Sequence, residues 1–124
     1  INRLINFRDS LNVSRITLVT GNHDIVDLIP PRMFEEILPY KEINVQKRMI
    51  CMSHYPFAEW NKKFRGSWML HSHSHYGYKP GHTDDYSGGL ILDVGMDNPD
   101  CNYSPFSYDQ ISEIMKWKKS QTDI

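Results

Sequence analysis

Four short apolar runs constrain this chain most: Arg15-Ile16-Thr17-Leu18-Val19-Thr20, Met49-Ile50-Cys51-Met52, Ser67-Trp68-Met69-Leu70 and Leu90-Ile91-Leu92. Each is too short for a stable helix, and each is bounded by turn residues, the pattern of a buried strand. Three of them run directly into a polar cluster: Gly21-Asn22-His23-Asp24, Ser53-His54-Tyr55-Pro56 and His71-Ser72-His73-Ser74-His75. Open α/β folds place their sites where strand ends converge on one edge of a sheet. The histidine row is the strongest of the three signals. If the strand continues, alternate residues share a face, so His71, His73 and His75 would line up there.

The intervening segments set the architecture. Leu4, Ile5, Phe7 and Leu11 have helical spacing over residues 2–12, with Asn12 as a stop. Pro31 suits a helix start and Pro39 an end, which predicts a short helix over Arg32–Leu38. Glu42–Val45 and Arg48–Ser53 read as a hairpin through Gln46-Lys47. Residues 76–88, rich in Gly and Pro, read as a surface loop. Ser107 and Gln110 make a capping box for a last helix, with Ile111, Ile114, Met115 and Lys118 on one stripe. The expectation is an α/β fold with α+β-like mixed sheets and meander-like pairing in its second half.

The chain has 124 residues, which fits one domain able to bury about two-thirds of its unfolded surface. A formal charge of −1 argues against a nucleic-acid or anionic-membrane surface. No window has the length of a membrane span, there is no targeting segment, and the two cysteines form no disulfide framework. A cytoplasmic location is the default expectation. The chain opens Ile-Asn-Arg-Leu without an initiator Met, which suggests a piece of a longer product.

Asn22 offers an amide oxygen, and His54, His73 and His75 offer imidazole nitrogens. This mixed donor set suits Zn, Mn, Fe or Ni and is too rich in nitrogen for Ca or Mg. A divalent ion there would polarise a phosphoryl oxygen and activate a water. His23, next to Asn22, is placed to protonate a leaving oxygen, and Asp24 to orient that imidazole. His71, inside the strand, reads as a supporting residue rather than a ligand.

The clusters Gly21-Asn22-His23-Asp24, Ser53-His54-Tyr55-Pro56 and Leu70-His71-Ser72-His73-Ser74-His75 resemble, in order and spacing, successive motifs of the calcineurin-like metallophosphoesterase superfamily. Trp60-Asn61, Gly66-Ser67 and the tail from Asp93-Val94-Gly95-Met96-Asp97 to Asp109 are similar to its small bacterial and phage-type members, so the likeness spans about residues 15–112. The resemblance implies a β-sandwich flanked by helices and a dinuclear metal centre. The activity it implies is hydrolysis of a phosphomonoester or phosphodiester by a metal-bound hydroxide. Carried over by position, Asn22, His54 and His73 would bind one ion, His75 the other, with His23 as acid and Asp24 orienting it. The substrate would be a phosphorylated small molecule or nucleotide.

The chain departs from that pattern twice. Ser72 replaces a family glycine, and the family's early Asp-x-His and Gly-Asp motifs are absent: residues 1–20 hold Asp9 as their one carboxylate and no histidine. This predicts an N-terminally truncated, partial domain over residues 1–124, with exposed sheet edges that invite homo-oligomers. The alternative function is a catalytically incomplete metal-binding or assembly module with half a dinuclear site. Gly81-His82-Thr83 mimics the histidine motif but lacks a preceding apolar strand, and Asp84-Asp85 reads as a solvated pair. Asp93 alternates away from Leu90, Leu92 and Val94, which places it on an outer strand face. Lys62, Lys63 and Arg65 read as a solvated run whose functional version draws a phosphorylated substrate toward His54; Trp60 and Trp68 read as packing residues.

Overall fold

The structure, a computed structural model, describes residues 2–122. Its elements are α1 (Asn2–Ser10), β1 (Thr17–Val19), β2 (Glu36–Leu38), β3 (Tyr40–Val45), β4 (Arg48–Ser53), β5 (Trp68–His71), β6 (Ile91–Asp93) and α2 (Tyr108–Thr122). Five single 3-10 turns punctuate the connections. The fold is a mixed α/β arrangement with two sheets. A four-stranded sheet runs β3-β4-β5-β6, and a two-stranded sheet pairs β1 with β2 in parallel. Among the described residues no helix is long and apolar enough to cross a membrane. The helix α1 stops at Ser10, two residues before the expected stop; Leu4, one of its expected stripe residues, lies outside the described side chains.

The hairpin forms as the sequence indicates. Gln46 (φ +50°) and Lys47 (φ +67°) both take left-handed backbone, the two-residue turn whose twist matches paired strands. The meander does not form. β4 pairs with β5 in parallel (Ile50↔Trp68), and β5 with β6 in parallel (Leu70↔Leu92). Residues 54–67 and 72–90 are therefore crossover connections, which parallel pairing requires.

The expected helix over Arg32–Leu38 is also replaced: a 3-10 turn, Pro31–Met33, leads into β2. A seven-residue helix is marginal on its own. The extended alternative gains the β1 ladder, extended by Glu35 N to Ile16 O (2.7 Å) and Thr20 N to Leu38 O (3.0 Å). β1 itself is only half-buried, not the fully buried strand its composition suggests.

Both faces of the larger sheet are covered, which is why its central strands read as continuous apolar runs. On one face Ile50, Trp68, Leu70 and Leu92 pack against Ile111 and Met115 of α2. On the other, Cys51, Met69 and Ile91 pack against Trp60, with Tyr40, Met49, Phe57 and Tyr78 around them. Trp60 and Trp68 are packing residues, as expected.

The capping box closes α2: Ser107 N donates to Gln110 Oε1 (2.8 Å) and Gln110 N to Ser107 Oγ (3.2 Å). The stripe of α2 ends in Lys118, which is wholly buried. Its ammonium donates to the carbonyls of Pro80 (3.2 Å), His82, Asp85 and Ile91 (2.6 Å each). Burial pushes its pKa down to about 8, against the pull of Asp85 and Asp84, so it still carries its charge at neutral pH. One cation thus ties the 79–91 connection to α2. Replacing it leaves several buried carbonyls without a donor, so Lys118→Met is expected to lower unfolding free energy by roughly 2–4 kcal/mol. A urea titration checks this; a midpoint matching the parent would contradict the carbonyl cage.

Candidate metal centre

Three of the four proposed ligands meet. His54 Nε2 lies 2.8 Å from Asn22 Oδ1 and 3.0 Å from His73 Nδ1. Asn22 follows β1, His54 follows β4, and His73 stands two residues past β5, so three strand ends deliver one donor each. Donors bound to one ion at 2.0–2.1 Å stand about 3.0–3.4 Å apart, so the two separations measured from His54 Nε2 are close to those a transition metal needs. The donor set, two imidazoles and an amide oxygen, fits such an ion chemically. Among the described residues, no three His, Cys, Asp or Glu side chains form such a group; the third donor here is an amide.

Gly21 makes the approach possible. A Cβ at this position would sit 2.8 Å from His54 Nδ1, against the ring itself. Ser72 turns its hydroxyl to His54 Nδ1 at 3.1 Å. A hydrogen bond at the far ring nitrogen fixes the tautomer and orientation of a ligating histidine. The His54 pKa is lowered first by burial and then by the neighbouring His73, both of which favour the neutral ring.

The histidine row is not a strand face. β5 ends at His71, and His73 (φ +57°), His75 (φ +47°) and Tyr76 (φ +65°) take left-handed backbone. Such residues cost about 1–2 kcal/mol each, and their clustering marks a segment shaped by its surroundings. The loop is braced from behind. The His82 ring stacks on Tyr76 at 3.9 Å, His82 Nε2 donates to Tyr76 O (2.5 Å), and Thr83 N donates to Tyr76 Oη (3.1 Å). The Gly81-His82-Thr83 mimic thus supports the histidine loop and contributes no ligand.

His75 stands apart from the trio. Its Nδ1 donates to Asp97 Oδ2 at 2.6 Å, which in the neutral ring leaves the Nε2 lone pair free. Asp97 is the site residue that sequence reasoning missed; its position in the Asp93–Asp97 tail was the available signal. Asp93 is also corrected. It does alternate away from its apolar neighbours, but the 72–90 connection covers that face and Asp93 is 1% exposed. Its carboxylate accepts from Tyr76 N (3.0 Å) and Gly95 N (2.9 Å), anchoring both sides of the site.

Asn22, His23, His54, His73, His75 and Asp97 line one open cavity of about 500 Å³, within the range of small-molecule sites. Asp24 does not line it. Its Oδ2 accepts from Gly21 N (2.7 Å), and among the described residues it makes no hydrogen bond to His23. The expected orienting role is replaced by closure of the turn that carries Asn22 and His23.

His71 is buried opposite Asp93 across the β5–β6 ladder. Its Nδ1 donates to the Ser72 carbonyl (3.0 Å), and Nε2, beside Gly81, has no partner among the described residues. Its burial and its Nδ1 bond give it a structural role at the end of β5.

No protein-family model matches the chain. No curated protein matches it either. Among solved structures it is similar to a protein of unknown function from Aquifex aeolicus, with a TM-score of 0.64 at 21% identity. That match covers 91% of this chain and 67% of the other. The likeness establishes a shared fold and carries no activity with it.

Burial holds the pKa of His71 below its ordinary value, outweighing the Ser72 and Asp93 contributions that raise it. The unfolded chain therefore binds more protons as pH falls below about 6.5, and stability is lost in that direction. Thermal unfolding between pH 7.5 and 5.5 is expected to show a falling midpoint. His71→Met, which does not titrate, should flatten the slope; parallel slopes would contradict the assignment.

Proposed function

We propose that this chain carries the metal-binding part of a phosphoester-hydrolysing centre, with a divalent transition ion (Mn, Zn, Fe or Ni) held by Asn22, His54 and His73. The observation that carries this reading is the approach of both Asn22 Oδ1 (2.8 Å) and His73 Nδ1 (3.0 Å) to His54 Nε2. These residues lie in motifs whose order resembles that of the calcineurin-like metallophosphoesterases.

When bound, the ion supplies the charge that activates water and neutralises phosphoryl oxygens. The remaining roles belong to side chains. His23, exposed on the turn after Asn22 and lining the same cavity, delivers a proton to the leaving oxygen. Asp24 acts through the backbone, holding that turn closed at Gly21 N. His75, oriented by Asp97 through Nδ1, would hold a second ion through its Nε2. The substrate class is a phosphomonoester or phosphodiester of a small molecule or nucleotide. Cys51 and Cys101, both free and buried, suit a reducing, cytoplasmic setting.

A second reading, a metal-binding or assembly module without turnover, is favoured by the shortage of carboxylates. Two line the cavity, Asp93 and Asp97; both Asp93 oxygens accept backbone amides, and Asp97 is paired with His75. Such a set balances the charge of two divalent ions poorly.

Hydrolysis of bis-p-nitrophenyl phosphate with added Mn separates the readings. The enzyme reading expects turnover above background, falling about a hundredfold or more in His54→Ala. No turnover from a chain that elemental analysis finds loaded with metal would favour the module.

A further inference from the structure

A second charged feature lies at the opposite end of β4 from His54. Lys47 in the hairpin turn, Arg48 at the start of β4, and Lys62 and Arg65 around the 3-10 turn before β5 line one small cavity of about 120 Å³. By sequence, Lys62, Lys63 and Arg65 read as a solvated run or as drawing a phosphorylated substrate toward His54. In the fold, Lys63 is held by Ala58 O (2.7 Å) and lies over the Trp60 ring, while Lys62 and Arg65 face this cavity.

No carboxylate lines the cavity, and among the described residues none of its four cations makes a salt bridge. Glu42 is influenced by Lys62 but is itself hydrogen-bonded by Tyr40 Oη (2.6 Å) and Asn61 Nδ2 (3.1 Å). Four like charges around one concavity repel one another, in a chain whose net charge is −1. Arg48 is held in place: Nη1 donates to Gly66 O (2.7 Å), and the guanidinium lies 5.3 Å from the Trp68 ring centroid. Lys47 (φ +67°) and Lys62 (φ +60°) both occupy left-handed positions, where Gly or Asn costs less. Two residues that local backbone preference would not choose thus add charge to the same cavity.

We propose that this cavity is an oxyanion site that takes a phosphoryl group, either inorganic phosphate or the phosphate of a small monoester. The held guanidinium supplies directional donors and the lysines supply point charge. Its volume is well below that of pockets enclosing whole drug-sized ligands, so it grips the charged tip of a molecule. The six residues of β4, at about 3.3 Å each, separate Arg48 from His54 by roughly 15–20 Å. One phosphoryl group cannot touch both, so the site is distinct from the histidine centre and does not depend on how that centre is read.

The test is an amide NMR titration of the whole chain with sodium phosphate, in EDTA and at constant ionic strength. Saturable shifts are expected at residues 47, 48, 62, 65 and 66, and phenyl phosphate should reproduce them if a monoester is accepted. If only inorganic phosphate saturates, the site still stands and its source is the free ion. The double variant Lys62→Glu with Arg65→Glu, at two exposed positions, should weaken binding about tenfold or more with the spectrum elsewhere unchanged. Shifts that rise linearly as with chloride, that occur only near residues 22, 54 and 73, or that survive charge reversal would overturn the proposal. So would displacement of phosphate by a single-stranded oligonucleotide with a steep salt dependence, which would assign the surface to nucleic acid.

Discussion

Strand β5 is buried at all four of its residues and paired in parallel on both sides. Trp68, Met69 and Leu70 each gain about 1.5–3 kcal/mol by that burial, which outweighs the about 1–2 kcal/mol for each left-handed residue just beyond. The ladder closes where Ser72 N donates to His54 O (3.1 Å) and Val94 N to His71 O (2.8 Å). After that the chain turns sharply enough to carry His73 over to His54. The site geometry follows from where this strand stops, and from a glycine at 21 that lets the His54 ring approach β1.

Much of this was legible from local signals. Three of the four apolar runs marked β4, β5 and β6 and the fourth marked β1, the Ser107–Gln110 box marked α2, and three polar strand ends marked the candidate site. What could not be read were features set by distant partners. β2 is extended because β1 offers a ladder, although a proline-bounded segment of its composition suits a helix equally well. The parallel pairing of β4, β5 and β6 depends on crossovers without helices, which leave no periodic signature. Asp93 followed the alternation rule, but the rule is silent on whether an outward face is later covered. Asp24 stands beside His23 in sequence, yet its carboxylate turns back to its own loop.

The two ends of the larger sheet carry opposite chemistry. At the C-terminal ends of β4 and β5, imidazoles and an amide oxygen crowd within hydrogen-bonding distance, and the carboxylates of Asp93 and Asp97 lie alongside. At the N-terminal end of β4, cations gather without acidic partners in their cavity. The ion proposed for each end is of opposite character: a metal cation for the imidazole and amide lone pairs, an oxyanion for the ammonium and guanidinium groups.

The central claim is that Asn22, His54 and His73 form one metal site. The direct measurement is the imidazole nitrogen-15 spectrum of the chain during addition of zinc. His54 Nε2 and His73 Nδ1 should shift together to metal-bound values within the first equivalent, while the nitrogens of His71 and His82 stay where they were. Unchanged His54 and His73 resonances at saturating zinc, or shifts confined to His71 or His82, would contradict the account.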